Sequence, residues 1–162
     1  MVFASPAQLS IANHDLAGLG ATVVRDNSSQ NIVGTFFKFW LPRVSEVFVL
    51  GTFNNWGRDA SNNLNPKSIG FALTQLSDSG YWYGYTPDLK YSPTIPGENE
   101  YKFYVIGFNG SNDVDWVADP IARDTVQRNP NVGDADALVV DWESFEWQYD
   151  SYYARERRDF RR

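Results

Sequence analysis

Short apolar runs separated by turn residues carry most of the chain. From Gly34 onward, Thr35-Phe36-Phe37-Lys38-Phe39-Trp40-Leu41 ends at Pro42, Glu46 to Thr52 ends at Asn54-Asn55, and Phe71 to Leu76 ends at Ser77-Asp78-Ser79-Gly80. Tyr81-Trp82-Tyr83-Gly84-Tyr85 follows and stops at Pro87, so the Asp-Ser-Gly turn predicts a hairpin with the Phe71 run. Tyr91 to Asn99 is rich in Pro and Gly and reads as a loop. In Glu100 to Ile106 strict alternation places Tyr101, Phe103 and Val105 on one face of a strand and Lys102 and Tyr104 on the other. Asn109-Gly110-Ser111-Asn112 is a turn, Trp116-Val117 a short strand, and Ala137 to Trp142 the last strand. About seven short strands at this spacing predict an all-β antiparallel sandwich rather than a barrel. Phe36, Phe39, Val47, Val49, Tyr101, Phe103, Val105 and Val139 are its expected core.

The first 26 residues lack sustained periodicity, although Pro6 to Leu16 fits a short helix before Gly18 and Gly20. No internal repeat occurs, and no helical pattern is long enough for the crossovers of a parallel sheet, which argues against an α/β enzyme fold. The expected layout is an N-terminal extension over 1–30, a sandwich over 31–142, and a linker or tail over 143–162. A chain of 162 residues has room for one such domain and a real core.

Composition sharpens this picture. Aromatic residues make up 16% of the chain, favouring strands over helices. The net charge of −6 argues against nucleic acid, whose phosphates need a basic face. The last eight residues run against it, with five Arg and two acids, and read as a solvated end or, alternatively, an interaction patch. Without cysteine there is no disulfide, thiolate nucleophile or thiolate metal site. No stretch approaches the 18 apolar residues of a membrane span, and Met1 to Gly20 lacks a basic region followed by an apolar one. The expectation is a cytoplasmic protein.

Catalytic chemistry is hard to assemble from these residues. His14 is the single histidine and has no Ser or metal-ligand neighbour in its segment. No strand end pairs two carboxylates as glycoside hydrolysis requires. Asp113, Asp115 and Asp119 form the densest acidic group and read as turn chemistry, with a calcium site as the alternative. Gly18 and Gly20 lack the spacing and Lys of a phosphate loop. No cofactor is expected, and the chain by itself is expected not to be an enzyme.

The order of several pieces resembles the family 48 carbohydrate-binding module. This is the immunoglobulin-like domain before the catalytic barrel in glycogen branching enzymes, isoamylases and related α-amylase-superfamily enzymes; a similar domain is the glycogen-binding region of the AMP-activated kinase beta subunit. The likeness rests on Leu19-Gly20-Ala21, the Phe36 to Pro42 strand, Val47 to Trp56, Tyr101-Lys102-Phe103, Asp115-Trp116, and Ala118-Asp119-Pro120-Ile121-Ala122-Arg123. Asp141 to Trp147 also looks like the segment that leads toward a barrel. The resemblance implies a non-catalytic module that packs on the barrel of the same parent chain, a hydrolase or glucanotransferase most similar to branching enzymes. It also implies binding of an α-1,4-glucan oligosaccharide or glycogen.

A sugar ring has an apolar C–H face and a hydroxylated edge, so a binding site needs an aromatic plane with donors and acceptors at its rim. Asn54-Asn55 is a turn signal that would put the Trp56 indole at a loop edge; the pattern alone favours the other reading, in which it caps the core under that loop. Lys102, opposite the apolar face of its strand, is expected to be exposed. Trp116 follows a polar turn and otherwise packs against Asp119-Pro120. The resemblance turns Trp56 and Trp116 into stacking platforms and Lys102 into a hydroxyl donor. It also places further contacts within Val126 to Asp134, where Asn131 is the candidate, but this stretch lacks the leucine, threonine and asparagine pattern of glycogen-binding members. That departure motivates a second reading, a docking sandwich that has lost sugar binding. A free-standing kinase-type regulatory subunit is a third.

Overall fold

Aromatic and β-branched residues crowd Ile32–Trp40 and Glu100–Ile106, and these two runs form the longest strands among the described residues. The structure is a computed structural model that describes residues 2–3, 18–77, 79–91, 98–129 and 134–141. Its strands are β1 (Val2–Phe3), β2 (Gly20–Arg25), β3 (Ile32–Trp40), β4 (Glu46–Gly51), β5 (Phe71–Ala72), β6 (Thr74–Gln75), β7 (Tyr81–Thr86), β8 (Glu100–Ile106), β9 (Val114–Val117), β10 (Thr125–Asn129) and β11 (Asp134–Leu138). A single-turn helix, α1, spans Pro66–Ile69.

The strands form two sheets, one in the order β1-β2-β3-β7-β6 and the other β10-β11-β8-β4-β5. Strand β8 is the hub of the second sheet. All six residues of β4 pair along one edge; on the other, β11 takes Glu100 and Tyr101 while β9 takes Phe103 to Ile106. The sandwich is therefore as the sequence predicts, with more and shorter strands than its seven runs.

Between the sheets, Phe37, Phe39 and Trp82 meet Val47, Val49, Tyr101, Phe103, Val105 and Val139. The rings of Phe39 and Phe103 stack at 4.1 Å with an interplanar angle of 16°, and Phe37 meets the Tyr101 ring edge-on at 5.1 Å. The Tyr101 hydroxyl donates to Asp119 Oδ2 at 2.6 Å, and Asp119 Oδ1 accepts from the Ile121 N–H at 3.0 Å. Burial, with the Asp119 charge beside it, holds the Tyr101 hydroxyl well above the ordinary tyrosine range. The Asp119-Pro120 turn is thus fixed from the core side, and Asp119 is buried away from any shared role with Asp113 and Asp115.

Several expectations need correction. Phe36 is buried but outside the main core: it stacks on Tyr83 at 6.4 Å on the outer face of the first sheet, and its neighbour Phe37 points between the sheets. Phe71 to Leu76 is two strands, since β5 pairs with β4 and β6 with β7, so the chain passes from one sheet to the other at Leu73. The expected hairpin survives as β6–β7. Gly20–Arg25, placed in an extension, pairs along its length with β3. Its short run acquires strand character from that partner. Strand β1 pairs with β2 in parallel, a departure from an all-antiparallel layout. The last strand begins at Asp134 and ends at Leu138. The helix proposed for 6–16, His14, and the segment 142–162 lie outside the described residues.

Truncating Phe103, which makes ring contacts with Phe37, Phe39 and Tyr101, removes the centre of this packing. Phe103→Ala is expected to lower stability by about 3–5 kcal/mol, measured by urea unfolding.

Candidate functional site

The inward face of β8 settles what its outward face must be. Because side chains alternate, Lys102, Tyr104 and Ile106 point away from the core. Tyr104 lies in register between Phe48 of β4 and Trp116 of β9, and Lys102 lies opposite Leu50. Phe48, Leu50 and Tyr104 form a buried cluster on this outer face, with Trp56 and Ile106 packed against it.

Trp56 arrives from the turn Thr52–Gly57 that follows β4. Phe53 packs toward the main core, whereas Trp56 crosses to the outer cluster, half-buried. Its ring lies 6.4 Å from that of Trp116 at an interplanar angle of 53°, and Trp116 in turn meets Tyr104 edge-on at 5.2 Å. Trp116 remains 37% exposed, with its ring against those of Tyr104 and Trp56. Two tryptophans far apart in sequence are thereby brought to one inclined aromatic surface. Trp56 also satisfies part of the alternative reading, since it does cap an apolar cluster, though on the outer face of a sheet rather than between the sheets.

Lys102 departs from expectation. It is 6% exposed, and its ammonium lies 3.6 Å from Asp136 Oδ1 on β11. The expectation of exposure treated the outward face of β8 as solvent. That face is a central position flanked by Leu50 and Asp136, and its own strand continues into the Tyr104 cluster. A long side chain there lies along the sheet.

Asn131 lies outside the described residues. The stretch containing it is not a loop throughout, because Thr125–Asn129 and Asp134–Leu138 pair as the antiparallel strands β10 and β11. Asp136 and Tyr104 are the site residues that sequence reasoning missed. A signal for Asp136 existed in Asp134-Ala135-Asp136-Ala137-Leu138: once Ala137 is inward, at 1% exposure, Asp136 must face outward.

Elsewhere, a cleft of about 220 Å³ opens at the sandwich edge, lined by Leu41, Val105, Phe108, Val114 and Val117 with Asp113 and Asp115. Phe108 and Val114 are 45% and 54% exposed there. Among the described residues no group of three or more His, Asp or Glu side chains is arranged to hold a metal ion, and no helix is long and apolar enough to cross a membrane.

Residues 18–122 match the family model for carbohydrate-binding module 48, the isoamylase N-terminal domain. The chain is 29% identical over 129 residues to a 1,4-alpha-glucan branching enzyme GlgB of Clostridium perfringens, covering 80% of this chain and 16% of that protein. It is 32% identical over 139 residues to the GlgB of Bacillus caldolyticus, covering 86% and 17%. In fold it is similar to the pullulanase SAP of Group B Streptococcus, with a TM-score of 0.52 at 17% identity over 82% of this chain and 16% of that one. The chain thus spans about a sixth of the length of these relatives. Its sandwich, its hub strand and its outer aromatic face lie within or beside the matched region, and the chain belongs to the carbohydrate-binding module 48 family.

Proposed function

We propose that the outer face of the second sheet captures an α-1,4-glucan chain, for the benefit of a 1,4-α-glucan branching-type enzyme of which this chain is the non-catalytic N-terminal module. The observation that carries the reading is the convergence of Trp56 and Trp116 at 6.4 Å and 53° on one accessible face. An α-1,4 linkage turns successive rings relative to one another, so a curved chain can offer its apolar faces to two inclined indoles. Tyr104 supports Trp116 from below, and Asp136, paired with the buried Lys102, offers the polar acceptor that hydroxyls need at the rim. Asp136, with its side chain 16% exposed, is the more accessible of the two. The branching-type assignment rests on the names of the relatives. A cytoplasmic location is part of the same reading, and fractionation of the source cells checks it.

A second role is favoured by the edge cleft. Its exposed Phe108 and Val114, beside Leu41 and Val117, are apolar surface away from the indoles. We assign it to docking on the catalytic barrel of a longer parent chain, and the two roles use different surfaces.

Isothermal titration with maltoheptaose is expected to show saturable binding that weakens at least about tenfold in Trp56→Ala and in Trp116→Ala. No chemical-shift change at these indoles in millimolar sugar would overturn glucan capture. Lys102→Ala is expected to act on folding as well, lowering stability by roughly 1–3 kcal/mol because its buried stem no longer packs along the sheet and the ion pair with Asp136 is removed. Asp136→Asn leaves an acceptor in place and is expected to cost less in the same urea titration.

A further inference from the structure

The turn that delivers Trp56 winds the wrong way for L-residues. Asn55 (φ 51°, ψ 37°), Trp56 (φ 55°, ψ 33°) and Gly57 (φ 69°) lie in succession in the left-handed region. Glycine enters it freely and asparagine tolerates it, but a bulky side chain there is an outlier whose Cβ crowds the next carbonyl. Such strain persists only where the surroundings over-determine it.

Two devices hold this turn. The Asn54 side chain bridges the end of β4, with Oδ1 accepting from the Gly51 N–H at 2.9 Å and Nδ2 donating to the Val49 carbonyl at 2.9 Å. On the far side the Arg58 N–H donates to the Asn55 carbonyl at 3.0 Å, and Asn55 Nδ2 donates to the Arg58 carbonyl at 3.1 Å. Gly57 sits directly over Leu50, where a Cβ would stand 2.8 Å from Leu50 Cδ2. The turn is therefore pressed onto the cluster that Trp56 covers.

Resting on the glucan-capture reading, we propose that Asn54 is a positioning residue: its amide bridge forces the left-handed turn and so fixes the Trp56 indole at its angle to Trp116 before any sugar arrives. Asn54 itself is placed against the backbone of β4 and acts through Trp56. The strain is carried by the free protein, so the platform is preformed and little ordering remains to oppose binding.

The Asn54→Ala and Asn54→Asp variants of the full chain test this, read by maltoheptaose titration, by the circular dichroism couplet of the paired indoles at the red edge of the far-ultraviolet, and by thermal unfolding. Asn54→Ala is expected to weaken sugar binding at least tenfold and to abolish the Trp56–Trp116 exciton couplet while the strand signal at shorter wavelength remains. Asn54→Asp keeps the acceptor for Gly51 but turns a carboxylate toward the Val49 carbonyl. At pH 7 it is expected to behave like Asn54→Ala; as pH falls through the carboxyl range near about 4, the added proton restores a donor. Couplet and affinity then return toward those of the unmodified chain at the same pH. Should Asn54→Ala fail to fold, the acid recovery of Asn54→Asp decides, and its absence overturns the proposal. Loss of thermal stability with affinity kept within twofold and the couplet intact also overturns it, leaving Asn54 as scaffold only. If the unmodified chain binds no glucan, the capture reading fails by itself; the couplet still decides whether Asn54 positions Trp56, loss supporting it and retention overturning it.

Discussion

The alternation of β8 against the opposing sheet is the constraint on which the rest of the molecule depends. Phe39 stacks on Phe103, and Phe37 touches both Tyr101 and Phe103, so the register of β8 is locked by rings from the other sheet. A slip of one residue would exchange Tyr101, Phe103 and Val105 for Lys102, Tyr104 and Ile106. It would also break the Tyr101 hydroxyl's bond to the buried Asp119. The outer aromatic face is therefore a by-product of core packing. It cannot move without unmaking the core.

Neither outer face is simply wet. Phe36, Val24 and Tyr83 form a buried cluster on the first sheet, and Phe48, Leu50 and Tyr104 form one on the second. These secondary clusters explain how a small sandwich accommodates so many aromatic residues. They also separate two jobs that a tryptophan can do. Trp56 lies over the second cluster and Trp116 stands at its border, so both indoles are supported on one side and open on the other.

Much of the motif set behind the family resemblance turns out to be scaffold. Gly20 (φ 93°) lies where a Cβ would touch Asp119 Oδ2 and Ile121 at 3.4 Å, joining the start of β2 to the Asp-Pro turn. That turn is in turn tied to Tyr101. Asn54-Asn55-Trp56 is mixed in character, since Asn54 closes β4 while the Trp56 ring reaches that of Trp116 on the outer face. A match to such motifs therefore speaks first for the fold, and for sugar binding only through the indoles and what lies beside them.

The sequence by itself determined the fold class and the course of β3, β4, β7 and β8. Each of these is an aromatic or β-branched run bounded by Pro, Gly or Asn, and local propensity and pattern act within a few residues. It also singled out Trp56 and Trp116. Strands β2 and β10 were not legible, because neither carries an aromatic run and each becomes a strand by pairing with its neighbour; nor was the division of the Phe71–Leu76 run into β5 and β6, because β5 leaves β6 to pair with β4 of the other sheet. The same holds at the site. That Trp56 and Trp116 meet, that Lys102 is buried, and that Asp136 faces it were decided by tertiary structure, because β4, β8, β9 and β11 become neighbours only when the second sheet closes. A face of a strand is labelled polar or apolar by its own residues, but whether it is wet depends on what the adjoining strands place beside it.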